Sequence, residues 1–225
     1  MGSPGPPGDG SPTDDIVTDT DSLGDVLARR RDLVLAGHRG NVEAVRAAMI
    51  SSDPDERAIA LGALARAGAL AADDVRHALG DPAAAVRRRA AEIAATLTDG
   101  RDRVDLVSAL GDRDPFVAEA ACWALGEWGD AAGPAAVRAL GGVVTGPGAH
   151  DDPLVREAAV AALGAIGDAA GLDAILAACR DKPTIRRRAV LALAPFEGPE
   201  VEAALALAAG DRDWQVRQAA EDLST

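Results

Sequence analysis

One pattern recurs through this chain every thirty-odd residues, and it constrains the fold more than any other feature. Six segments begin at Glu56, Val86, Val117, Val155, Ile185 and Val216, with starts 30, 31, 38, 30 and 31 residues apart. Five of the six start residues are β-branched and apolar. The next residue is Arg57, Arg87, Ala118, Arg156, Arg186 or Arg217, and the fourth past the start is always alanine: Ala60, Ala90, Ala121, Ala159, Ala189 and Ala220. A fixed period of this length describes units that stack on their neighbours and share one continuous core, not a globule closed around a pocket.

The units read as helix pairs. The better-marked members fall near 54–66, 83–97, 115–128, 153–166, 183–195 and 213–223, each preceded by a shorter one, near 42–50, 71–79, 102–110, 132–141, 170–179 and 199–209. Asp53-Pro54, Asp114-Pro115 and Asp152-Pro153 place a capping carboxylate before a proline at the first helical position, where its missing N–H costs nothing. Gly129 and Gly167 supply the stops. A further helix is expected from about Leu23 to Ala36. Residues 1–22 hold five Asp, no basic residue and almost nothing apolar. Such a segment cannot offset its ordering entropy by burial, so it is expected to be a disordered acidic tail before a solenoid over 23–225.

The run Asp152-Pro153-Leu154-Val155-Arg156-Glu157-Ala158-Ala159-Val160-Ala161-Ala162-Leu163-Gly164 resembles the HEAT repeat, of the short bacterial type found in phycobilisome-lyase-like proteins. The resemblance covers about residues 41–223, with departures at the acidic start Glu56 and at Ala118. It implies an all-α, right-handed α-solenoid of about six antiparallel helix pairs, with the second helix of each pair on the concave side.

On a helical projection, positions 0, +4, +8 and +11 from each start cluster within about 80° of arc and form a core stripe. Positions +2, +6 and +9 point the other way, and there the identities scatter. Variation on the concave side marks the candidate partner-binding residues: Arg88, Glu119, Glu157 and Arg187 at +2, and Glu92, Trp123, Ala161 and Leu191 at +6. Trp123, Ala161 and Leu191 would form one apolar stripe with a charged rim, the usual organisation of a protein-binding patch. Trp128, at +11, is a core residue. The arginine at +1 lies on the flank. It is either an anion-binding row or a ladder to acidic loop residues of neighbouring units, such as Asp81, Asp112 and Asp211, and the HEAT resemblance favours the ladder. The 38-residue spacing inserts roughly eight residues around Gly141–His150. Insertions in solenoids map to loops on one face, often the binding face, so this one could overhang the groove.

The chemistry of enzymes finds little purchase here. His38, His77 and His150 lie in different units with no ligand spacing, so no metal is expected. Cys122, beside Trp123, reads as a small apolar filler, and with Cys179 it fits a reduced, cytoplasmic setting. No apolar run is long enough to span a membrane. The net charge is −13, from 26 Asp and 10 Glu against 22 Arg and one Lys. That field repels nucleic acid and anionic membranes, so neither is expected as a partner. The expected function is non-catalytic binding of a protein partner as a scaffold or adaptor, with no cofactor and an undetermined oligomeric state. The resemblance also implies an alternative, a lyase or chaperone subunit of the bilin-handling type. A third class, the HEAT-like DNA glycosylases, is disfavoured by the acidic charge despite the runs Arg87-Arg88-Arg89 and Arg186-Arg187-Arg188.

Overall fold

The computed structural model describes Gly2 and residues 19–223, with side chains from Leu23 onward; the rest of the stretch read as an acidic tail lies outside the described residues. Thirteen α-helices and no strand occur among the described residues. They are α1 (Asp19–His38), α2 (Val42–Ala47), α3 (Pro54–Arg66), α4 (Ala72–Leu79), α5 (Ala84–Ala94), α6 (Leu106–Ala109), α7 (Pro115–Trp128), α8 (Gly133–Val144), α9 (Pro153–Ile166), α10 (Leu172–Ala178), α11 (Pro183–Ala192), α12 (Pro199–Ala209) and α13 (Trp214–Leu223).

Local chemistry sets the helix starts. The carboxylates of Asp53, Asp114 and Asp152 accept the N–H groups of Asp55, Phe116 and Leu154 at 3.0, 3.0 and 2.9 Å, ahead of proline in each case. At the other end of α9, Gly167 takes a left-handed φ of 70° and closes the helix onto the Leu163 carbonyl, a conformation glycine adopts without strain.

Two rows of helices result. α1, α3, α5, α7, α9, α11 and α13 pack side by side as an unbroken row. The other helices back it, and among them α6 with α8 and α8 with α10 pack most closely. The unbroken row is made by the second helix of each pair, the row that the HEAT resemblance expects on the inner, concave side.

The repeated alanines explain the tightness of the inner row. All six are fully buried, at 0% exposure. Between Leu61 and Val201 one apolar core runs without interruption, and a smaller cluster closes each end. The buried surface is wider than the projected stripe. Position +5 is buried as well in the first five units, at Leu61, Ala91, Cys122, Val160 and Val190. Position +9 belongs in part to helix packing: a methyl on Gly126 would sit 3.1 Å from Ala162 Cα, and one on Gly164 would sit 2.7 Å from Ala192 Cα. The acidic start Glu56 is accommodated by Ser51, whose hydroxyl donates to it at 2.6 Å, and by Arg29 at 3.3 Å.

The insertion differs from the expected overhanging loop. Its first residues lengthen α8 to Val144, and Val143 and Val144 are buried in the core. The chain then turns back, with the His150 N–H donating to the Val143 carbonyl at 2.9 Å.

Candidate partner-binding groove

All eight sequence-predicted residues lie on the inner row, but the structure sorts them into three places. Glu119, Trp123, Glu157 and Ala161 come together in one groove of about 470 Å³ between α7 and α9. Arg187 and Leu191 belong instead to a shallow hollow of about 100 Å³ beside Trp214 and Gln218. Arg88 and Glu92 pair with one another at 2.9 Å. The expected stripe from Trp123 through Ala161 to Leu191 is therefore not one surface. Leu191 packs instead on the C-terminal cluster that contains Val216 and Ala219 of α13.

Trp123 is the defining group of the groove. The residue is 46% exposed, an unusual state for so large an apolar one. Leu154, Ala158, Ala161 and Ala165 continue the apolar lining on α9. Glu119 and Glu127 stand one helical turn on either side of Trp123, on the same face of α7. Neither has an ion pair among the described residues. On the opposite wall Glu157 meets Arg188 at 3.6 Å. No residue of the 141–150 insertion lines the groove. Trp128, by contrast, is buried, and its indole N–H donates to the Ala94 carbonyl at 2.8 Å.

The +1 arginines are committed to the fold. Arg57, Arg87, Arg156 and Arg186 each grip the aspartate of the following unit with two parallel hydrogen bonds: Asp81 (2.8 and 2.7 Å), Asp112 (2.7 and 2.8 Å), Asp181 (2.9 and 3.1 Å) and Asp211 (2.8 and 2.8 Å). The third guanidinium nitrogen of each donates to loop carbonyls before its own helix; Arg87, for example, reaches Asp81 O at 2.9 Å and Pro82 O at 3.1 Å. Arg30 starts the series by gripping Asp53 at 2.9 and 3.0 Å. The ladder is thus the role of these residues, and they do not form an anion-binding row. Its rungs are partly to largely buried: side chains are 9% and 12% exposed in the Arg87–Asp112 pair and 29% and 19% in the Arg30–Asp53 pair. The paired guanidinium holds the carboxyls of Asp81, Asp112, Asp181 and Asp211 below the usual carboxylate range.

One rung is missing, and both halves of it are missing together. Where arginine is replaced by Ala118, the aspartate of the following unit is replaced by His150. His150 keeps the second duty of that position: its Nδ1 accepts the Asp152 N–H at 3.1 Å, as Asp112 accepts that of Asp114 at 2.9 Å.

The titratable groups offer no activated nucleophile at the groove. Burial pushes the Cys122 thiol up to about 12 and that of Cys179 up to about 11. Among the described residues no three His, Cys, Asp or Glu side chains converge as a metal-binding group, and no helix is long and apolar enough to cross a membrane.

Sequence reasoning missed Leu154, Glu127, Arg188 and Trp214 as neighbours of the candidate residues. It also missed an open hollow of about 720 Å³ at the first units, lined in part by Arg30, His38, Arg66 and Arg89. Glu119, Trp123 and Glu127 recur at four-residue spacing, and that spacing was the available signal for Glu127.

Comparisons with known proteins agree with this architecture. Residues 148–223 match the family model for HEAT repeats. No curated protein sequence gives a significant match. Among solved structures, an engineered protein superposes with a TM-score of 0.60 at 22% identity, covering 81% of this chain and 96% of its own. The complex of CpcE and CpcF of phycocyanin lyase from Nostoc sp. PCC7120 gives 0.56 at 26% identity, covering 80% of this chain and 74% of the other. A designed armadillo repeat protein in complex with the peptide (KR)4 gives 0.53 at 16% identity, covering 93% and 94%.

Proposed function

We propose that this chain, a HEAT-repeat protein with an all-α solenoid fold, is a non-catalytic scaffold that binds a protein partner through the α7–α9 groove of its inner face. The observation that carries the reading is Trp123, an exposed tryptophan in an apolar groove with a charged rim. Tryptophan is the residue type most favoured as an interface anchor, because it covers a large area at little cost in side-chain entropy. Ladder rungs tie α7 to the preceding unit and α9 to the following one, and buried alanines with the close approach of Gly126 to Ala162 hold α7 against α9, so the side chains of Glu119 and Trp123 are spared that task. The acidic charge supports a protein partner over nucleic acid or an anionic membrane.

Loss of one well-buried aromatic anchor costs about 2 kcal/mol or more of binding. Trp123→Ala should therefore keep the helical circular dichroism and weaken recovery of the native partner in a pull-down at least tenfold. Normal folding with unchanged recovery would remove the groove from consideration.

A second reading rests on the likeness to the CpcE–CpcF complex, which extends over 80% of this chain. Under it the chain would be one subunit of a lyase-type pair handling a bilin. Mixing the purified protein with a linear tetrapyrrole separates the two readings: a shifted absorbance band favours the lyase-type subunit, and an unchanged spectrum favours the scaffold.

A further inference from the structure

We infer that the occupant of the α7–α9 groove is a peptide segment bearing an arginine, whose guanidinium lies on the open face of Trp123 between Glu119 and Glu127. The inference rests on the groove being the partner site and adds the chemistry of what enters it.

The argument begins with the three aromatic residues of α7. Two of them already carry an arginine from the preceding unit: Arg88 lies over Phe116 at 5.5 Å, and Arg101 lies over Trp128 at 5.6 Å. Trp123, the most attractive ring type for a cation, carries none among the described residues. The Phe116 site also shows the complete arrangement within this molecule, because the arginine on the ring is fixed by a carboxylate, with Arg88 Nε donating to Glu92 at 2.9 Å. At Trp123 the ring and the carboxylates are both present, and the cation is absent. Glu119 and Glu127 are placed four residues before and after the tryptophan, so both lie on its face of α7, one helical turn to either side.

Charge complementarity points the same way. The cation within the groove, Arg188, is engaged with Glu157 on the α9 wall, which leaves the α7 wall acidic. An incoming neutral or acidic segment would strip water from Glu119 and Glu127 and give nothing in return, and an unpaired buried carboxylate is strongly unfavourable. An arginine answers both carboxylates while its plane stacks on the indole, which the compact ammonium of lysine cannot do as well. The lining of Leu154, Ala158, Ala161 and Ala165 then accepts an apolar side chain next to that arginine.

The test uses fluorescence anisotropy of labelled peptides of about twelve residues. Each has a Leu/Ala/Gly background and one central position set to arginine, lysine, glutamate or citrulline, the last being the neutral shape-mimic of arginine. The full chain should bind the arginine peptide at least tenfold more tightly than the citrulline peptide, with lysine between them and glutamate weakest. The double variant Glu119→Gln/Glu127→Gln should lose that preference. Glu200→Gln/Glu202→Gln, on the outer helix α12, should retain it, which separates the site from general attraction to an acidic protein. Trp123→Ala should weaken every peptide, and Trp123→Phe preserves a ring should the alanine variant fail to fold. Equal binding of arginine and citrulline peptides, an arginine preference that survives the double variant, or no binding of any peptide would overturn the inference. Should Trp123→Ala lose the native partner while Glu119→Gln/Glu127→Gln keeps it, the groove stands and the arginine does not. Should Trp123→Ala lose nothing, the groove itself is wrong.

Discussion

Replacing Asp112 with alanine tests whether the ladder holds neighbouring units together. The change removes both hydrogen bonds from Arg87 and the acceptor of the Asp114 N–H. Breaking a fully buried ion pair costs about 3–5 kcal/mol, and exposed pairs contribute only about 0–1 kcal/mol. The Arg87–Asp112 pair is close to the buried limit, with side chains 9% and 12% exposed, but Arg87 keeps its two loop carbonyls and is not left bare. The expected loss is therefore about 2–3 kcal/mol, between those bounds. Asp112→Asn keeps an oxygen for the Asp114 N–H and should cost less, about 1–2 kcal/mol, isolating the charge. Asp73→Ala provides the control: its pairs with Arg76 and Arg103 are about half exposed or more on both sides and should together be worth less than about 1 kcal/mol. Urea unfolding followed by helical circular dichroism measures all three. If Asp112→Ala costs no more than Asp73→Ala, the ladder does not couple the units. The same pair fixes a pH dependence. A carboxyl whose folded pKa is depressed contributes stability that is complete above its unfolded value, about 3.9, and that is lost as pH falls through the lower folded value. The parent should thus hold its stability down to about pH 4 and lose it below, with a shallower loss in Asp112→Ala.

Other expectations follow from packing and burial. Gly164→Ala would place a methyl 2.7 Å from Ala192 Cα and Cβ and should cost about 1–3 kcal/mol by urea unfolding. Gly62→Ala meets first the far end of the long Arg89 side chain, which can shift, so the gain of up to about 1 kcal/mol in helix propensity should leave it neutral or stabilising. Ala159→Leu should cost about 1–3 kcal/mol by overpacking the inner row, whereas Ala161→Leu, on the half-buried groove side, should cost clearly less in the same assay. With thiols raised to about 12 and about 11, Cys122 and Cys179 should alkylate slowly at pH 8 in the native protein and rapidly in urea. Rapid native labelling of Cys122 would contradict its burial.

The fold was legible because each unit repeats the same physical instructions. The capping aspartates, the buried alanines and the aspartate partners of the +1 arginines all follow from residues that recur at one spacing, and the HEAT resemblance drew on the same residues. The groove was legible only in part. Trp123 was placed from a projection of one helix, and that projection correctly put it outside the core. What the projection lacks is the offset between neighbouring helices. It therefore joined Leu191 to Trp123, although α13 supplies Trp214 as its neighbour. It also assigned +9 to the open face, although Gly126 and Gly164 are contact points with the next helix. Arg188 was read as one letter of an arginine run, and only packing reveals that it crosses to Glu157.

The ladder also has a direction. In every rung the arginine precedes its aspartate, by 23 to 25 residues. A ribosome delivers the chain from the N-terminus, so each arginine emerges with its loop carbonyls at hand and its aspartate still to come. Each newly made unit closes the one made just before it. Growth of the nascent solenoid is then a succession of nearest-neighbour closures, and no completed segment has to wait for a distant part of the chain. At Ala118 nothing waits at all: the first units can finish their pairing before His150 has been synthesised.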